Sequence, residues 1–279
     1  MKHNEQSIRL YIQRISNILM LNGGFLDNPG LYSGEMGVAL FFFHYARFTQ
    51  NDLYLNYGYY LIKIIQNRIH LETPINYKEG LTGIGSAIEY LVQAGYIKDD
   101  TDELLEDFDN RIFSVQKIPK LSIEDINSIL YYAIWRISGS RSKRKIILNN
   151  LLQPVINIMD ECFSNHTSTC FMIDYLKKVV ENEYNNSLID KDPSIIPAWD
   201  RLFLMKNPNV FISYWFPRFH EIMIKNDIFS LSTLELGFHC GLAGMGMTLL
   251  TELDNQMGIS WISLIQNDLT QMNNESLPF

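Results

Sequence analysis

Cysteine is scarce in this chain, and positive charge is outweighed. Cys162, Cys170 and Cys240 are the three cysteines among 279 residues. They are too few and too scattered for a disulfide framework, so reduced thiols are expected. Lys and Arg number 23 against 31 Asp and Glu, giving a net charge of −8 and a pI near 5.3. A nucleic-acid binder needs a basic face to displace counterions from phosphate, and this balance argues against one. The basic cluster Arg141-Ser-Lys-Arg-Lys145 reads as a solvated loop or helix start. Long apolar runs are missing as well. The densest, Val38-Ala-Leu-Phe-Phe-Phe43, stops at His44 and Arg47, short of the roughly 18 apolar residues of a membrane span. Met1-Lys-His-Asn-Glu-Gln6 shows neither the apolar core nor the cleavage site of a secretory signal, so a cytoplasmic protein is expected.

What the chain has is apolar bulk and glycine in a pattern. Hydrophobic residues make up 47%, with 16 Phe and 15 Tyr, enough for a substantial core. Three glycine-rich turns punctuate it: Gly30-Leu-Tyr-Ser-Gly34-Glu-Met-Gly37, Gly80-Leu-Thr-Gly83-Ile-Gly85 and Gly241-Leu-Ala-Gly244-Met-Gly246. Leu follows the first glycine each time, and each turn opens an apolar run of helical period, so the three read as an internal repeat. Glycine inside a helix costs roughly 1 kcal/mol against Ala. Its recurrence therefore marks a geometric demand, either a sharp start to the helix or close backbone approach.

The remaining periodicity is helical. Ile8, Tyr11, Ile12, Ile15, Ile18 and Leu19 form the stripe of an amphipathic helix over about residues 5 to 21, ended by Asn22-Gly-Gly24. Val38 to Phe48 is apolar almost all round, whereas Leu53 to Ile69 is one-sided, the contrast of an inner and an outer helix. The order repeats with Ile84 to Ala94 and an acidic helix from Asp100 to about Phe113. Ser122-Ile-Glu-Asp125 starts a helix to Ile137, partnered by Ser142 to Met159. Further helices are expected over 167 to 182, 198 to 206 and 210 to 225, with Asn185 to Pro197 as the longest loop. Leu242 to Leu253 and Ile259 to Met272 close the chain. The expected fold is all-α, a single domain over 1–279 built from about six helical hairpins.

Glu79-Gly-Leu-Thr-Gly-Ile-Gly-Ser-Ala-Ile-Glu-Tyr-Leu91, the segment Gly30 to Arg47, and Cys240-Gly-Leu-Ala-Gly-Met-Gly246 resemble the glycine-turn repeats of lanthionine synthetase C-like proteins, in particular a short Bacteroides-type branch. The resemblance covers the first third and last fifth of the chain well and the middle weakly. It implies an α/α toroid of inner and outer helices, and a role in maturing or binding a ribosomally made peptide, with a precursor peptide or peptide-maturation enzymes as partners. Full members of that family join a cysteine thiol to a dehydrated Ser or Thr on zinc, which keeps sulfur deprotonated and leaves a ligand position open. Their ligands are a Cys in one inner turn and a Cys-His pair before a glycine in the next.

Here the order is reversed to His239-Cys240-Gly241, and no Trp-Cys-x-Gly turn is present. His239 and Cys240 are the tentative metal ligands, and no complete set is assigned. Cys162-x3-His166-x3-Cys170 has helical spacing and could in principle combine with His239 or Cys240, but a free Cys on an apolar helix is ordinarily a small core residue. The expectation is a peptide-handling protein without a full zinc site, with zinc-dependent cyclisation as the alternative.

Other constellations carry less. His220-Glu221-Ile-Met-Ile224 lacks the second histidine of a zinc-protease helix, and no glycine turn ends in Gly-Lys-Ser/Thr as a phosphate loop would. His44 behind three Phe reads as a structural histidine, and Trp199-Asp200-Arg201 as a helix cap. A glycosidase is a further alternative, because α/α toroids host them; Glu35, Glu79, Glu89 and Asp200 are available, but nothing in sequence pairs them.

Overall fold

The computed structural model describes residues 5–114, 120–139, 142–163, 227–239 and 241–254, with short stretches at 172–174, 176–177, 221–222 and 224–225 and single residues 261 and 264. The helix expected over 198–206 and the loop at 185–197 lie outside them, as does most of 167–182, 210–225 and 259–272. The protein is predominantly α-helical, with helix pairs packed across long sequence separations as in helical-repeat proteins. By contact density the chain, expected as one domain, divides into two compact units: residues 1–71 with 198–279, and residues 72–197.

The first unit contains α1 (Glu5–Asn22), a 3₁₀ turn (Gly23–Phe25), α2 (Glu35–Thr49), α3 (Asp52–Arg68) and a second 3₁₀ turn (Ile228–Thr233). Its last helix spans Leu242–Leu253. α1 buries the stripe Ile8, Tyr11, Ile12, Ile15, Ile18 and Leu19 against that last helix. α2 is buried on every side from Glu35 to Ala46, while α3 buries only Gly58, Leu61 and Ile65. An inner helix packed on an outer one is what the sequence contrast predicts. The α2–α3 seam is aromatic: Phe42 meets Tyr57 edge-on at 4.6 Å, and Gly58 leaves room for the Phe43 ring, 3.3 Å from where a Cβ would stand. Asn51 caps α3 by accepting from the Leu53 N–H at 2.9 Å.

The second unit contains α4 (Leu81–Gln93), α5 (Thr101–Leu104), α6 (Glu106–Ile112), α7 (Ile123–Gly139) and α8 (Ser142–Phe163). The 242–253 helix is α9 hereafter. The acidic helix expected over 100–113 is two short helices that break at Leu105, which is buried. α4 begins at Leu81, three residues before the apolar run at Ile84, because the glycines themselves are helical. It ends in a tight turn with Gly95 at φ 71, where the Tyr96 N–H reaches the Leu91 carbonyl at 2.8 Å. α7 lies along α4, and Gly85 is needed there: a Cβ would sit 2.5 Å from the Tyr132 ring.

Candidate functional site

Three helices, α2, α4 and α9, begin in the same way. Their first residues follow Gly34, Gly80 and Gly241, with φ/ψ of −107/−170, −114/−166 and −118/−175. This is extended backbone that any residue adopts, so the glycines answer to space and not to handedness. In each copy the preceding loop doubles back over the helix start. The Glu35, Leu81 and Leu242 N–H groups donate to the carbonyls of Asn28, Pro74 and Glu235 at 2.9, 2.9 and 2.8 Å. The next N–H groups, of Met36, Thr82 and Ala243, donate to Pro29, Ile75 and Leu236 at 3.3, 3.3 and 3.1 Å. A Cβ on Gly34, Gly80 or Gly241 would fall 2.6, 2.6 or 2.5 Å from the carbonyl oxygen of Gly30, Asn76 or Gly237. The loop closes onto bare glycine.

This geometry corrects the register of the repeat. Aligning Leu after the first glycine pairs Gly30 with Gly80 and Gly241; the backbone pairs Gly34 with them instead. Gly30 then matches Gly237, and the first and last turns share the pattern Gly-x3-Gly-x2-Gly, as Gly30–Gly34–Gly37 and Gly237–Gly241–Gly244. Gly83 takes the place of Gly37 and Gly244, and Gly85 that of Gly246. Gly37 is where the first and last turns touch, because a Cβ there would strike Phe238. Gly246 likewise makes room for the Phe41 ring, so α2 and α9 approach closely.

The first and last turns sit side by side in the first unit. The Phe238 and His239 N–H groups both donate to the Tyr32 carbonyl, at 2.6 and 3.0 Å. The Tyr32 and His239 rings stack with centroids 4.7 Å apart and planes 9° from parallel. Both residues stand two positions before their cap glycine, so the stack is a contact between equivalent positions of two repeats. His239 is partly exposed beside a buried Tyr32. Cys240, the other tentative ligand, lies outside the described residues, as do His166, Cys170, Asp200 and His220; of Cys162 only the backbone is described. Among the described residues no three His, Cys, Asp or Glu side chains come together as a metal site. The helix starts are not anion cradles, because loop carbonyls already occupy their first two N–H groups.

Beneath the first turn lies Glu35, fully buried, with neither carboxylate oxygen accepting a hydrogen bond from the described residues. The Arg68 guanidinium at the end of α3 stands 3.4 Å away and also donates to the Leu26 carbonyl. Burial pushes the Glu35 carboxyl up to about 7, against the pull of Arg68. In the corrected register its counterparts are Leu81 and Leu242, both buried and apolar.

The other carboxylates offered for acid-base chemistry separate. Glu79 is exposed. Glu89 is buried in the second unit, locked to Arg136 at 2.5 Å. Arg136 also bonds Asp109 at 3.0 Å and Asp102 at 3.1 Å, while the Tyr132 hydroxyl donates to Asp109 at 2.7 Å. Burial raises Glu89 despite Arg136. Burial of Arg136 works to lower its own pKa, but the bonds to Asp109 outweigh this and hold it protonated. Tied by these hydrogen bonds and buried apart from the partly exposed Asp102, this cluster joins α4, α5, α6 and α7 and is structural. His44 is buried and held neutral, burial lowering it to about 3, the structural role expected of it.

Sequence reading passed over the Tyr32 stack, the Arg68 partner and the Arg136 cluster. For the first a signal existed: the Gly-x3-Gly-x2-Gly pattern puts Tyr32 and His239 in register. Comparison with protein-family models, with curated proteins and with solved structures gives no match to this chain.

Proposed function

We propose that this protein is a lanthionine synthetase C-like helical toroid that binds a ribosomally made peptide at the glycine-turn ends of its inner helices and takes part in that peptide's maturation. The observation that carries this reading is the recurrence of one turn design at the starts of α2, α4 and α9, with the first and last copies joined through Tyr32 and His239. The first and last of these turns, joined within the first unit, fit a ledge on which an extended peptide can lie, with the partly exposed His239 as its aromatic contact. Binding is favoured over thiol addition on the sequence of the turns: His239-Cys240 inverts the ligand pair of the zinc enzymes, and the partner Cys turn is missing.

The test mixes purified protein with candidate precursor peptides, plain and dehydrated, and measures affinity, peptide mass and bound metal. Binding without change of mass and without stoichiometric zinc is the expected result. Peptides that neither bind nor change would sink the reading. Zinc lost on Cys240→Ala, together with thiol addition, would replace it with the cyclase alternative.

A further inference from the structure

Glu35 breaks the repeat that surrounds it. The first position of α2 is roofed by the doubled-back loop just as in α4 and α9, and those two helices fill it with Leu81 and Leu242. A carboxyl in the same enclosure has both oxygens without a hydrogen-bond donor among the described residues. Its charged neighbour among them, Arg68, is partly exposed and ties α3 to the Leu26 carbonyl at the root of the same loop. Lifting residues 26–34 is the movement that gives Glu35 water. It also parts Tyr32 from His239, because Tyr32 rides on that segment.

We infer that the first glycine turn is a proton-linked latch: residues 26–34 stay shut over Glu35 while its carboxyl is protonated, and ionisation of Glu35 drives the segment open and separates Tyr32 from His239. The sign follows from linkage. A carboxyl that holds its proton more tightly when covered than when solvated favours the covered state at low pH, and loses that preference as pH rises. Covered, Glu35 titrates near 7 against an ordinary 4.5, so the open-to-closed ratio rises by up to about 300-fold across that window. Among the described residues Arg68, on α3, is the ionisable group that acts on Glu35, and Tyr57 on the same helix feels the Glu35 charge. From the other elements packed on α2, α9 brings Glu252, exposed near its far end, and the Gly23–Phe25 turn no ionisable side chain. Asp27 on the segment itself is exposed, and Glu235 and His239 stand on the neighbouring turn. The latch rests on the packing around Glu35 alone and does not depend on the peptide-binding reading.

Hydrogen exchange of residues 23–36, corrected for intrinsic rates, tests it between pH 5.5 and 7.5. Protection in the wild type is expected to fall on the order of tenfold over that range. Glu35→Gln and Glu35→Leu should abolish the dependence, and the Leu variant carries the residue both sister helices use. His239→Gln should keep it, which separates Glu35 from the nearby imidazole. Arg68→Met should move the transition to higher pH, since Arg68 favours the ionised carboxylate. Carbon-13 titration of the Glu35 carboxyl in the wild type gives an arm free of variants. A Glu35 that titrates in the ordinary carboxylate range, flat protection in the wild type, or an unchanged slope in Glu35→Leu would overturn the inference.

Discussion

Two buried acid groups, Glu35 and Glu89, show how differently one side chain is housed in the two units. Among the described residues Glu35 has one cation nearby and no hydrogen bond, whereas Glu89 is bonded by Arg136, Thr101 and Gln93. Because burial raises Glu35 from 4.5 to about 7, its contribution to folding is fully present below about 4.5 and is lost as pH rises through about 7. Glu35→Leu is therefore expected to be near neutral at pH 4 and to stabilise by about 3 kcal/mol at pH 8, read from urea unfolding at each pH. Arg136→Met acts in the opposite sense. It strands Glu89, Asp102 and Asp109 without their cation and should cost about 3–5 kcal/mol at neutral pH, less in acid as Glu89, which burial raises, takes up its proton. Neither environment was legible beforehand. Arg68 and Arg136 meet partners 33 and 47 residues distant along the chain, at Glu35 and Glu89 respectively, and a polar residue inside an apolar period carries no mark of its partner.

The inner and outer character of α2 and α3 was readable because burial on all sides and burial on one stripe leave different periods. The start of α9 at Leu242 was readable for the same reason. The break at Leu105 was not, since an acidic amphipathic run looks continuous whether or not a buried Leu interrupts it. The turn register failed on local likeness: Gly30-Leu imitates Gly80-Leu, whereas the real correspondence lies in backbone bonds that reach seven residues back. That correspondence is testable. Gly34→Ala, Gly80→Ala and Gly241→Ala should each destabilise by about 1–3 kcal/mol, because a backbone carbonyl rather than a mobile side chain blocks the added methyl. Gly24→Ala, whose nearest neighbour would be 3.5 Å away, should lie within about 0.5 kcal/mol of wild type in thermal unfolding. At the end of α2, Gln50 holds φ 52, and Gln50→Gly should gain up to about 1 kcal/mol.

Across the whole chain the two compact units hold separate polar centres, the Glu35–Arg68 pair in one and the Arg136 cluster in the other. Arg136→Met is accordingly expected to loosen α4 and α7 in hydrogen exchange while leaving the protection of α2 and α9 unchanged; equal loss in all four would show that the units unfold together. Of the candidate site, the sequence made His239 visible through its neighbours Cys240 and Gly241, but Tyr32 gained meaning only once two distant turns were seen to touch. The turns carry a last consequence. Backbone carbonyls, not side chains, satisfy the first N–H groups of α2, α4 and α9. The residue just before each cap glycine is therefore not needed to cap the helix, and it differs in every copy: Ser33, Glu79 and Cys240. Ser33 and Glu79 both face solvent. A hydroxyl and a carboxylate thus stand exposed at equivalent positions, and a change of side-chain chemistry there leaves the first hydrogen bonds of the helix below it in place.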